Sequence, residues 1–181
     1  MAKKKVTTYK WDEFLRRLKS SIFHPKRQSK DILFRLVFGN DRQALLQLYN
    51  VLHGTAYTDP HELQIVTLDN AIYISRKNDL AFLLAGSINM YEHQSTLNPN
   101  MPVRFLIYLA QEYQLLVEST DKSLYGSELI PLPTPQCVVF YNGTADTPDE
   151  YELRLSSAFS NQDVELAAEV VVKVININYG H

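Results

Sequence analysis

Cysteine is almost missing from this chain: Cys137 is the only one among 181 residues, which excludes an internal disulfide and a cysteine-based zinc site. Its neighbours Val138, Val139 and Phe140 make it read as a buried strand thiol. A glycine-rich phosphate loop and a pair of histidines at helical spacing are also lacking, which removes several enzyme classes. No internal repeat or low-complexity tract occurs. Long hydrophobic runs are missing too. The longest nearly uninterrupted one, Leu80 to Ala85, is far too short to cross a bilayer. The opening MAKKKVTTYKWDEF has lysines but no apolar stretch of a signal peptide behind them. The expectation is a cytoplasmic protein with no membrane partner.

What is present suits a packed fold. Hydrophobic residues make up 45% and charged residues 21%, close to globular averages, and the length fits one domain. The net charge of −2 hides an uneven distribution. Residues 1–35 carry eleven Lys or Arg against Asp12, Glu13 and Asp31, giving +8, and residues 36–181 carry seven against seventeen acids, giving −10. The opening segment could therefore touch phosphates. Equally, its lysines could merely solubilise a frayed terminus.

Periodicity divides the chain into helices and short strands. Trp11, Phe14, Leu15, Leu18 and Ile22 recur at helical spacing and HPKRQS then breaks the pattern, so residues 1–29 read as a basic N-terminal helix and linker. A second helix is expected from Ser29 to Gly39, with Leu33, Phe34, Val37 and Phe38 on its apolar face, and a third from Asp41 to Leu52. Leu63–Leu68 and Ala71–Ile74 look like strands, then Leu80–Leu84 and Ile88–Gln94 like a hairpin turning at Ala85-Gly86-Ser87. A long helix follows to about Glu118, with Val103, Leu106, Ile107 and Ala110 as its apolar stripe and Arg104, Tyr108 and Gln111 beside it. Gln136–Tyr141, Tyr151–Leu155 and Glu169–Ile177 complete the strands. The fold class is α/β, a mixed sheet flanked by helices.

The hairpin is where chemistry can be found. Asp79 stands just ahead of one strand, while Glu92 and Gln94, two apart in the other, point to one face. Antiparallel pairing can bring Asp79 near them. Two converging carboxylates suit a hard divalent cation such as Mg2+, which could polarise a phosphodiester and acidify a bound water. Gln94 could hold that water or a phosphate oxygen. On spacing alone, structural ion pairing is the rival explanation. His93 points to the opposite face and reads as a packing residue.

The segments SKDILFRLVFG, KNDLAFLL, INMYEHQST, MPVRFLIYLAQEY and PLPTPQCVVFYNG, in that order, carry a resemblance from about Lys30 to the C-terminus. The chain resembles the recombination-promoting nuclease family, also described as transposase-like PD-(D/E)xK nucleases. The resemblance implies a restriction-endonuclease-like domain over residues 30–181, lacking a C-terminal region that longer members carry. It implies Asp79 and Glu92 as metal ligands for Mg2+ or Mn2+, with Gln94 where the wider superfamily commonly has lysine. Asp31 matches the acidic residue on the first core helix, and Arg104 with Tyr108 the Arg-x-x-x-Tyr that orients the site or contacts phosphate. The implied activity is DNA cleavage linked to recombination, mobile elements or phage defence.

Two other functions compete. A catalytically inactive nuclease fold could bind DNA or regulate, in keeping with the missing lysine. Alternatively the chain could form a homodimer, or pair with a longer relative, through the β-branched strand Glu169–Ile177.

Overall fold

The computed structural model describes residues 34, 36–66, 80–161 and 163–178. The expected helix over residues 11–23 and the strand Ala71–Ile74 lie outside them, as does most of the basic segment. Residues 36–40 are helical. Helix α1, Arg42–His53, begins where the Asp41 side chain accepts a hydrogen bond from the Ala44 N–H at 3.0 Å and ends at Gly54, whose φ is 63°. Asp41 is thus the N-cap and Gly54 the left-handed C-terminal glycine of this helix. Of Leu63–Leu68 only Gln64–Ile65 forms a strand among the described residues, β1.

Strands β2 (Leu80–Leu84) and β3 (Ser87–Gln94) make the expected antiparallel hairpin. Its two-residue turn puts Ala85 at φ 50° and Gly86 at φ 76°, the left-handed backbone that matches the twist of the flanking strands. Helix α2, Met101–Glu118, crosses to β4, Thr134–Tyr141, which runs parallel to β3. Then come β5, Glu150–Arg154, and β6, Val171–Asn176. The mixed six-stranded sheet has the order β1-β2-β3-β4-β6-β5.

Alternation along the strands divides the core between two layers. Leu80, Phe82, Leu84, Tyr91, Val138, Phe140 and Ile175 pack with Leu45, Leu46, Leu48 and Tyr49 of α1. On the other face Ala81, Ile88, Met90, Cys137, Val139, Tyr141, Val172 and Val174 pack with Met101, Phe105, Tyr108 and Leu109 of α2. Cys137 is the buried strand thiol expected, and desolvation pushes its pKa up to about 12.

Three expectations are corrected. The buried face of α2 is Met101, Phe105, Tyr108, Leu109 and Glu112, while Leu106 and Ile107 of the expected stripe are 39% and 40% exposed. The wide rings of Phe105 and Tyr108 decide which side meets the sheet, since they remove more surface from water. Strand β4 starts at Thr134 and runs through Pro135. The Thr134 N–H donates to Gly86 O on the β3 side, so the proline nitrogen points to the other side, where the ladder to β6 starts only at Val138. A missing N–H there breaks no bond. Finally, β6 lies between β4 and β5, with Val172 and Val174 at 0% and 2% exposure. It is not the exposed strand through which self-pairing was expected, because parallel pairing to β4 and antiparallel pairing to β5 use both its edges.

Candidate functional site

Strand β3 assigns its side chains by parity. Ile88 and Met90 enter the α2 layer, and Glu92 and Gln94 continue that face at the strand's C-terminal end. Tyr91 enters the α1 layer, and His93 stacks on Phe34 at 5.9 Å between ring centroids. His93 is thus the packing residue expected. Beside Glu92 and Gln94 in the parallel ladder stand Val139 and Tyr141, so the polar pair sits over the C-terminal ends of two neighbouring parallel strands. Such ends are where open α/β sheets bind ligands.

Helix α2 brings Arg104 and Tyr108 to the same place. Glu92 is 1% exposed, and its Oε2 accepts from Arg104 Nη2 at 2.7 Å and from Gln94 Nε2 at 3.0 Å. Tyr108 Oη accepts from Arg104 Nε at 3.4 Å and from Nη2 at 3.3 Å, and Met101 Sδ accepts from Nη1 at 3.3 Å. The i,i+4 spacing of Arg104 and Tyr108 makes this possible, and the guanidinium carbon lies 5.8 Å from the Tyr108 ring centroid. A buried carboxylate is thus held by a charge-assisted hydrogen bond whose donor is itself positioned by a ring and a thioether.

The chain's Mg2+ or Mn2+ expectation can be tested against this donor set. A hard cation needs several oxygen ligands with free lone pairs. Glu92 Oε2 already accepts from a guanidinium and an amide, and the described residues contain no group of three His, Cys, Asp or Glu able to hold a metal. As arranged, the described residues do not fit a bound cation: one at Oε2 would have to displace Arg104. Asp79 and Asp31 lie outside the described residues. Of the expected site residues the structure therefore brings together Glu92, Gln94, Arg104 and Tyr108.

Sequence reasoning missed two polar features. Glu112 is 2% exposed, its Oε1 has no hydrogen-bond partner among the described residues, and burial raises its pKa from 4.5 to about 7. It follows Phe105 and Tyr108 by seven and four residues, a spacing that places a carboxyl on the sheet-facing stripe. A folded pKa above the unfolded one means that burying the charged form costs stability. That cost is nil below pH 4.5, grows as pH rises to about 7 and then stays constant. Allowing for partial screening, Glu112→Gln should gain about 2 kcal/mol above that range and nothing below it. Urea unfolding on both sides of the range checks this, and equal gains at both would refute it.

The second is a cavity of about 510 Å3 at the opposite end of β4, lined by His53, Gln136, Cys137, Glu152, Glu169 and Lys173 among others. Its charged groups are engaged: Lys173 pairs with Glu150 at 2.7 Å, Glu152 with Arg154 at 2.5 Å, and Glu169 accepts from Ser156 Oγ at 2.7 Å. Burial and the Lys173 ammonium hold the His53 pKa below the usual imidazole range. The Glu92 cluster is the better candidate, because there the groups converge on a single buried charge. No family model matches the chain, and neither does any curated protein or solved structure. Among the described residues, no helix is long and apolar enough to cross a membrane.

Proposed function

We propose that the chain is a DNA endonuclease that hydrolyses phosphodiester bonds with Mg2+ or Mn2+ and has a restriction-endonuclease-like fold. The observation that supports this most is the convergence of Glu92, Gln94, Arg104 and Tyr108 over the C-terminal end of β3. The resemblance assigns these same four positions to the site. It also assigns Asp31 and Asp79, and Asp79 immediately precedes Leu80, which pairs with Tyr91, the neighbour of Glu92. Gln94, an amide, cannot take a proton and would position the water or a phosphate oxygen. Arg104 is the group suited to a backbone phosphate. The link to recombination, mobile elements or phage defence rests on the resemblance alone.

The test is plasmid nicking by freshly purified protein with and without chelator. Wild type should nick only with metal, and Asp79→Ala should lose at least about a hundredfold in rate while keeping the wild-type circular dichroism. Equal rates would overturn the assignment. The ion pair between Arg104 and Glu92 favours a second reading, a nuclease fold that binds DNA without cutting it. Metal-independent DNA binding with no nicking by wild type would select that reading.

A further inference from the structure

We propose that the cavity at the N-terminal end of β4 binds an uncharged nucleobase, free or as a nucleoside, whose edge is read by the Gln136 amide as Asn89 orients it. None of the residues involved belongs to the Glu92 cluster, so the proposal stands apart from the nuclease reading. The cavity follows from a split in the sheet. Residues 134–137 of β4 pair with β3, but pairing with β6 begins only at Val138 with Lys173. Val171 and Val172 pair instead with Arg154 and Leu153 of β5. Pro135 offers β6 no N–H, so the two strands part there and leave about 510 Å3, lined by Pro135, Gln136 and Cys137 from β4 and by Val170 and Val171 from the other branch.

A buried amide beside this space lacks a partner. Asn89 is 0% exposed, and neither its Oδ1 nor its Nδ2 has a hydrogen-bond partner among the described residues. An amide in that condition has given up water at both atoms for nothing in return. Its neighbour in the parallel ladder is Gln136, on the same face of the sheet. Gln136 is half-buried and lines the cavity, and its side chain makes no hydrogen bond among the described residues. A glutamine amide has two donor hydrogens and two acceptor lone pairs. One of each can meet the edge of a flat ring, as Asn and Gln do with adenine, while the others remain for Asn89. Whichever end Asn89 holds then sets the order of donor and acceptor that the ring meets. The rest of the lining suits an uncharged ligand. Leu52, Leu109, Val138 and Val170 give it apolar walls. Lys173 is held by Glu150, Glu152 by Arg154 and Glu169 by Ser156, so a phosphate or an ammonium group finds no unengaged counter-charge there.

The experiment is calorimetric titration of the full chain with two isosteric pairs that invert donor and acceptor, adenosine against inosine and cytidine against uridine. At least one nucleoside should bind with a dissociation constant below about 1 mM, about tenfold or more tightly than its isosteric partner. Its 5′-monophosphate should bind about tenfold more weakly, since the added charge has no partner. Gln136→Ala should weaken binding about tenfold or more. Asn89→Leu, which replaces the orphaned amide by an apolar group of similar shape, should fold and bind the two members of the pair within about threefold of each other. Gln136→Ala, at a half-buried position, serves if Asn89→Leu does not fold. Binding of none of the four nucleosides at millimolar concentration would overturn the proposal, as would binding that Gln136→Ala leaves unchanged. Discrimination that survives in Asn89→Leu would overturn the orienting role of Asn89.

Discussion

Arg104→Ala is expected to cost about 3–5 kcal/mol of folding stability, while Glu92→Gln costs well under half of that. The two residues make one ion pair, yet they stand differently toward water. Glu92 is 1% exposed and Arg104 20% exposed. Removing the guanidinium takes its charge-assisted donor at 2.7 Å from a carboxylate in the layer between β3 and α2, where desolvation works strongly. Removing only the negative charge leaves an amide of the same shape, while Arg104 turns toward solvent. The neutral amide of Gln94, which donates to the same oxygen at 3.0 Å, cannot replace the lost charge. Urea unfolding of the two variants, compared at equal m values, reads the difference directly. Equal losses would show that the pair is solvated and that Glu92 is not the buried charge described above.

Phe82→Ala should cost about 3–5 kcal/mol, in keeping with loss of a fully buried ring. Phe82 is 0% exposed and lies at the middle of β2. Its ring meets Tyr91 edge-on at 5.2 Å and Tyr49 at 6.2 Å, so it ties the sheet to α1. The neighbouring rings belong to rigid strands and a capped helix, which limits how far the cavity can collapse. Leu106→Ala is the matched comparison on the outer side of α2, where a loss under about 0.5 kcal/mol is expected. Thermal or urea melts of both variants test the layer assignment. Similar losses at the two positions would mean that the α2 stripe read from periodicity was the buried one after all.

How much of this was legible in advance depends on whether a feature is local. The hairpin was readable because an apolar run, a turn with Gly86 and a second run specify an antiparallel pair within fifteen residues. The placement of Glu92 with Gln94 and opposite His93 follows from the twofold period of any strand. The Asp41 cap and the end of α1 at Gly54 follow from local hydrogen bonding. The partner of Glu92 was not readable in the same way. Arg104 is twelve residues away on another element, and only the docking of α2 brings it within 2.7 Å. The stripe Val103, Leu106, Ile107 and Ala110 has sound helical spacing, but α2 carries apolar residues on more than one side. Packing of the rings then decides between them. The β-branched composition of β6 correctly signalled a strand. Its nearly continuous apolar run, Val170 to Val172 with Val174 and Ile175, carries the further signal of an interior strand. Pro135 within β4 was illegible because its tolerance depends on where β6 begins.

The parity of β3 makes this strand intolerant of any shift in phase. Six of its eight residues serve two layers at once, Ile88, Met90, Glu92 and Gln94 toward α2 and Tyr91 and His93 toward α1. Inserting or deleting one residue ahead of Tyr91 would exchange the two sets. The Glu92 carboxylate would then face Phe34 and Phe140, and the Tyr91 ring would take the place beside Arg104. Lengthening the chain between Ser119 and Pro133, which joins α2 to β4, changes no parity, and loop closure there grows only slowly with length. Over evolutionary change, then, the site can drift in the loop that follows α2 but not in the spacing of β3. A sequence that kept Glu92 and Gln94 while losing one residue of β3 would have kept the letters of the site and lost its chemistry.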